Sequence, residues 1–231
     1  MAKSVLIAVD AMGGDRAPDA IIEGVGLVAQ QLGHIQFELH GDPDRIAALT
    51  TRYGLSGHRY DIVPSSHAIA MDTKPSQALR QGKGSSMWNA CSAVEVGRAQ
   101  AVVSAGNTGA LMAISKLRLR MVEGINRPAL VANWPSRRGA AAVLDVGATV
   151  EASASQLVEF AIMGEAYFRA NFGTAKPSIG LLNIGSEDQK GHEEIREAAR
   201  LLRELDLGLK FHGFVEGHDI SAGEVDVVVT D

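Results

Sequence analysis

Val5-Leu6-Ile7-Ala8-Val9-Asp10-Ala11-Met12-Gly13-Gly14-Asp15 is the stretch that decides the fold of this chain. An apolar run rich in branched side chains ends on an aspartate and passes into a Gly-Gly turn, as a buried parallel strand does where it opens into a loop. Pro18 suits the first turn of a helix, and Ile21, Val25, Val28, Ala29 and Leu32 then recur on one helical face. Strand 5–11, turn and amphipathic helix together make the opening of a βα unit.

The same alternation continues outward from there. Strand patterns fall at 35–40, 61–64, 101–105, 129–133, 140–146, 179–183, 209–214 and 225–229, and helical patterns at 42–53, 86–98 and 107–122. Ser153 and Gln156 form a capping-box pattern for a helix that would bury Leu157, Phe160, Ala161, Gly164 and Phe168. Ser186 and Gln189 form another, for a helix burying Ile195, Ala198, Ala199, Leu202 and Leu205. Residues 67–84 are mixed and polar, an excursion from the sheet. The expectation is a single α/β domain over residues 1–231, a three-layer sandwich whose mostly parallel sheet carries helices on both faces. No repeat, low-complexity segment or clear linker interrupts it. Residues 225–229 are wholly apolar and run into Thr230 and Asp231, where a strand would open into a loop. Ligands bind beyond the carboxyl ends of such strands, so part of the site and its covering helices are expected to lie past residue 231.

Composition narrows the function. Hydrophobic residues make up 46% of the 231 and aromatics 5%, with 25 glycines, which suits layered α/β packing and not a disordered chain. The net charge of −5 argues against a nucleic-acid binder. Cys91, the single cysteine, excludes a disulfide within the chain and reads as a packed core side chain. No His, Cys, Asp or Glu cluster has metal-ligand spacing, and there is no P-loop, no G-x-G-x-x-G and no G-x-S-x-G. No cofactor or metal is therefore expected. The initial apolar run is too short for a signal segment and no run approaches a spanning helix, so the reading is cytoplasmic.

Three Gly-rich turns after strands carry the functional signal. They contain Asp10, Gly13, Gly14 and Asp15; then Gly106, Asn107, Thr108 and Gly109; then Asn183, Gly185, Ser186, Glu187 and Lys190. Glycine admits close approach of backbone N–H groups, and a helix start offers unpaired N–H donors and a positive dipole end, so each turn can hold an anion. Lys190 would stand in the first turn of a helix, against the usual preference for acids there, which points to an anionic ligand. Plain chain geometry explains any one such turn; three at one sheet edge are harder to explain that way. Residues 71–87 add Lys74, Arg80, Lys83, Ser85 and Ser86, either a solvated loop with a serine cap or a second anion contact. From 114 to 138 there are six basic residues against one acid. Among them Lys116, Arg118, Arg120, Arg137 and Arg138 either form an ordinary solvated face or steer an acidic partner.

Read in order, these blocks carry a resemblance. Asp10-Ala11-Met12-Gly13-Gly14-Asp15 with Ala17-Pro18, Lys74 through Arg80, Ser85-Ser86-Met87, Ser104 through Ala110, Arg127-Pro128-Ala129, Leu144 through Ala148, and Leu182 through Glu187 with Lys190-Gly191 are similar to the bacterial phosphate acyltransferases of phospholipid synthesis, the PlsX family. Thr149, residues 152–155 and His192 depart from that pattern. The resemblance implies an α/β/α fold of the phosphate acetyltransferase and isopropylmalate dehydrogenase type. It implies transfer of a long-chain acyl group from acyl carrier protein to inorganic phosphate, with a homodimer and peripheral contact at the inner face of the membrane. Of the family's last site loop, which supplies an asparagine to the chemistry, Asp231 alone is present. Lys190 would offset charge on phosphate and the tetrahedral intermediate, while Gly13, Gly14, Asn107, Thr108, Ser86 and Ser186 would bind phosphate. Three rivals stand beside it. One is a phosphate acetyl- or butyryltransferase working on coenzyme A thioesters. Another is a non-catalytic module that binds acyl carrier protein, which would use the basic block and leave the three turns unexplained. The third is a nicotinamide-dependent dehydrogenase on the related fold, whose cofactor site and metal carboxylates are not found in the sequence.

Overall fold

The computed structural model describes residues 4–149, 151–185, 187 and 189–230. The chain folds as two compact units, Met1–Arg120 and Met121–Asp231. The βα alternation runs through that boundary without a change of composition, which is why no linker is visible in the sequence.

The first unit runs β1 (Val5–Asp10), α1 (Asp19–Gln31), β2 (Ile35–Gly41), α2 (Pro43–Arg52), β3 (Tyr60–Pro64), α3 (Pro75–Gln81), α4 (Ser86–Glu95), β4 (Ala101–Ser104) and α5 (Thr108–Leu119). Its sheet is wholly parallel in the order β3-β2-β1-β4. The period-two alternation of β1 sorts its side chains between two cores. Ile7, Val9 and Ala11 pack with Ile22 and Val25 of α1 and Ile46 of α2, while Leu6 and Ala8 pack with Ala90 and Ala93 of α4 on the other face. Asp42 caps α2, accepting from the Asp44 and Arg45 amides, and Pro43 fills the first helical position, where its missing N–H costs nothing. The polar excursion of 67–84 contains a helix of its own, α3, opened by Pro75.

The second unit runs β5 (Val131–Ser136), β6 (Gly139–Leu144), α6 (Ala154–Phe172), β7 (Ser178–Leu182), α7 (Glu193–Glu204), β8 (Lys210–Val215), α8 (Gly217–Ala222) and β9 (Val227–Val229). Its sheet has the order β5-β6-β9-β7-β8, parallel except for the β5–β6 pair. The Ser153–Gln156 capping box forms as expected, and α6 buries Leu157, Phe160, Ala161 and Phe168 against the sheet. Gly164 sits where a Cβ would come within 2.5 Å of Val227, so its missing side chain sets how closely α6 crosses β9. Val143, Val215, Val225 and Val228 make the opposite core, joined by Ile220 of α8. Helices thus cover both faces of each sheet, in agreement with the expected α/β architecture. The strands pair in two sheets and not one.

Candidate functional site

Each sheet reverses its strand order once. In the first unit the chain steps outward from β1 to β2 to β3 and then returns to the far side of β1 as β4. In the second it steps from β7 to β8 and returns to the far side of β7 as β9. Such reversals open a crevice beyond the strand ends. The three Gly-rich turns read from sequence lie at these two places: after β1 and β4 in the first unit, and after β7 in the second.

In the first unit the two turns are brought together over a buried carboxylate. Asp10 is 1% exposed. Its Oδ2 accepts from Ser104 Oγ at 2.7 Å and its Oδ1 accepts from the Met12 amide at 3.3 Å. Ser104 Oγ in turn accepts from the Gly106 amide at 3.1 Å. A Cβ on Gly13 would run into Asp10 Oδ2 and stand 2.9 Å from the Gly106 nitrogen. Gly14 has φ +107°, and a Cβ there would stand 2.9 Å from the Ala105 carbonyl oxygen. These glycines are required by the contact between two turns. Asp10 is accordingly a positioning group. Asp15 is exposed beyond it.

Asn107 caps α5, accepting from the Ala110 amide at 2.9 Å, and both of its amide hydrogens go to backbone, Met71 O at 2.7 Å and Thr73 O at 2.9 Å. Its side chain therefore holds the 71–74 segment against α5, and Gly109 lets Pro75 approach to the same end. The anion-binding capacity left at this helix start is in the N–H groups of its first residues, Thr108 and Gly109, with the exposed Thr108 hydroxyl beside them. Ser85, not Ser86, caps α4 through the Trp88 amide. Ser86 is 1% exposed and its Oγ has no hydrogen-bond partner. The neighbouring Met87 methyl packs on Gly106, so Ser86 opens a helix that abuts the second turn.

The second unit differs from expectation at the β7 turn. α7 starts at Glu193 with His192 at the N-cap and no side-chain cap, so Lys190 precedes the helix and acids Glu193 and Glu194 occupy its first turn. The expected Ser186–Gln189 capping box does not begin this helix; Ser186 lies outside the described residues. Gly191, with φ +90°, is the reason, because its left-handed backbone separates 183–190 from the helix. The loop instead closes on itself: Asn183 Nδ2 donates to the Lys190 carbonyl at 3.0 Å, and the Lys190 amide donates to the Glu187 carbonyl. Lys190 Nζ lies 2.8 Å from Glu187 Oε1, both half exposed. That hydrogen bond raises the Lys190 ammonium from its ordinary value and lowers the Glu187 carboxyl. Lys190 is a full cation held over Gly185, whose missing Cβ makes room for it.

Other groups escape the sequence reading. Ser104 links the two turns, a bridging role that its place in the 104–110 motif does not reveal. His40, opposite Asp10 in the β1–β2 register, is fully buried, with Nε2 3.3 Å from Glu38 Oε2 and Arg98 Nε 3.2 Å from Glu38 Oε1. Burial lowers its pKa, against the pull of Glu38. Asp145, at the end of β6, accepts from the Leu130 and Ala148 amides through Oδ1, while its buried Oδ2 has no partner. Cys91 is buried and its thiol is raised by that burial, as a packed side chain would be. The basic block is divided by the unit boundary, with Lys116, Arg118 and Arg120 in the first unit and Arg137 and Arg138 in the second. Arg118 pairs with Glu95 and Arg138 donates to the Gly223 carbonyl. No group of three or more metal-ligating side chains occurs among the described residues.

Doubly covered α/β units with a strand-order reversal in each sheet define the class, and solved structures share the fold. A phosphotransacetylase from Streptococcus pyogenes superposes with a TM-score of 0.71 over 99% of this chain and 78% of its own, at 17% identity. A branched-chain phosphotransacylase from Enterococcus faecalis gives 0.61 over 97% and 78%, at 16% identity. Within that class the chain belongs to the family described as fatty acid synthesis protein, which matches residues 5–231. Relatives named phosphate acyltransferase, from Caulobacter vibrioides and Phenylobacterium zucineum, are 57% and 54% identical over the whole of this chain. The chain spans 64% and 66% of their length.

Proposed function

We propose that the protein transfers a long-chain acyl group from acyl carrier protein to inorganic phosphate, releasing acyl phosphate for phospholipid synthesis. The observation that carries this reading is the pair of Gly-rich turns packed together over Asp10 at the β1/β4 reversal, beside the open start of α5. Phosphate is already anionic near neutral pH, so an acceptor site must mainly hold it for attack on the thioester carbonyl. The Gly13-Gly14 turn and the Thr108 and Gly109 amides supply neutral donors for that purpose. Lys190 of the second unit keeps, on the strength of its sequence motif, the role of the cation for the tetrahedral oxyanion, which collapses as the C–S bond breaks and the carrier thiolate leaves. The high identity to proteins named phosphate acyltransferase supports the same assignment. Homodimer formation and a cytoplasmic, membrane-peripheral location belong to this proposal. No helix among the described residues is long and apolar enough to cross a membrane.

The test is to incubate full-length protein with palmitoyl–acyl carrier protein, with and without phosphate. Phosphate-dependent acyl phosphate is expected. Intact thioester under both conditions removes the reading, and a strong preference for coenzyme A thioesters replaces it with the short-chain alternative.

A further inference from the structure

The end of α5 breaks a backbone rule. Arg120, its C-cap, has φ 65° and ψ 177°, and among the described residues it is the one non-glycine with positive φ. That conformation is essentially reserved for glycine, and side chains are kept in it where function requires them. α6 and α8 also leave through left-handed residues, and there the residues are Gly173 and Gly223.

Arg120 borders an open groove of about 750 Å³, lined also by Val94, Glu95, Val96, Arg118 and Leu119. Val96 is 63% and Leu119 40% exposed, so apolar surface faces solvent between the charges. Arg118 is fixed before any partner arrives: its guanidinium lies 5.2 Å over the Trp88 ring and pairs with Glu95, while its buried Nε has no hydrogen-bond partner. Glu95 offsets one positive charge. Arg120 leaves the rim positive on a chain whose net charge is −5.

We propose that this groove docks the acidic protein that carries the acyl thioester, with an apolar side chain between Val96 and Leu119 and carboxylates on Arg118 and Arg120. The inference rests on the acyl-carrier reading above and adds where the carrier binds. Charge complementarity favours the occupant, since a basic, apolar-floored patch attracts an acidic surface. A concave groove suits a protruding side chain of a folded partner better than a flat bilayer. Planar, pre-oriented guanidinium groups suit carboxylates.

Arg120→Gly and Arg120→Glu in the full-length protein test the assignment. Glycine relieves the backbone, so its melting temperature should equal or exceed that of the parent, while KM for palmitoyl–acyl carrier protein rises about fivefold or more and KM for phosphate stays put. Glutamate should raise the carrier KM further, by an amount that shrinks with added salt. An unchanged carrier KM in both variants overturns the docking site. So does a loss of activity that merely follows a lowered melting temperature, or a loss of binding to phosphatidylglycerol vesicles with carrier KM intact. If the parent protein makes no acyl phosphate, the functional reading fails instead, and the two failures are distinct.

Discussion

The two strand-order reversals are built in opposite ways. At the β1/β4 reversal the polar groups are interior. Asp10 is buried, Ser104 bridges it to Gly106, and the glycines are there because two backbones touch. At the β7/β9 reversal the loop closes on its own Asn183 and its charges are half in solvent. The first arrangement makes neutral amide donors at the expense of mutability, because removing any part leaves a buried polar group unpaired. The second carries a half-exposed charge that pairs within its own loop, where an ion pair contributes little to stability. On the proposed function, binding geometry and stability are coupled in one unit, whereas charge is separable from stability in the other.

That contrast breaks most visibly at Lys190. Lys190→Ala should lower acyl phosphate formation by about tenfold or more while leaving the melting temperature nearly unchanged. Turnover equal to the parent's would remove the lysine from the chemistry. Ser104→Ala should do the reverse in kind, costing roughly 1–3 kcal/mol of stability and raising KM for phosphate several-fold, because Asp10 Oδ2 and the Gly106 amide both lose their partner. Denaturant unfolding read beside initial rates checks it; a stable variant with normal phosphate KM would show that the turns hold without the bridge. Glu187→Gln sharpens the comparison with a smaller effect. It takes away the carboxylate that raises the Lys190 ammonium, so the alkaline limb of the pH–rate profile should move to lower pH with less than about a threefold change in peak rate.

The smallest effect is at His40. Burial holds its folded-state pKa below the unfolded value of about 6.5. The unfolded chain therefore binds the proton better, and stability from neutral His40 is complete above that value and lost as pH falls through the lower folded one. Melting temperatures measured between about pH 7 and pH 5 should drop more steeply in the parent than in His40→Gln. Equal slopes would place the acid sensitivity elsewhere.

Much of the fold is legible in the sequence for a local reason. The β1 run, the Gly-Gly turn and the Ser153–Gln156 box are decided within a few residues of chain, by side-chain period and capping chemistry. The start of α7 is misplaced by the same local pattern, because Ser186 and Gln189 satisfy it, yet Gly191 turns left-handed between them and the helix. Asn107 reads as a ligand contact because its amide is a good donor; only its hydrogen bonds to Met71 and Thr73, more than thirty residues away, reveal where those hydrogens go. The basic block is continuous along the chain, and folding divides it between two units.

Sequence alone determined the α/β class, the positions of the Gly-rich turns after their strands, and the likeness to phosphate acyltransferases, since those follow from periodicity, glycine and ordered motifs. Tertiary structure decided the rest: the split into two sheets, which strand each one returns past, the bridging role of Ser104, the burial of Asp10 and His40, and the glycine-like backbone of Arg120. Those depend on which distant segments come within a few ångströms of one another, and neighbour identity along the chain does not encode that distance.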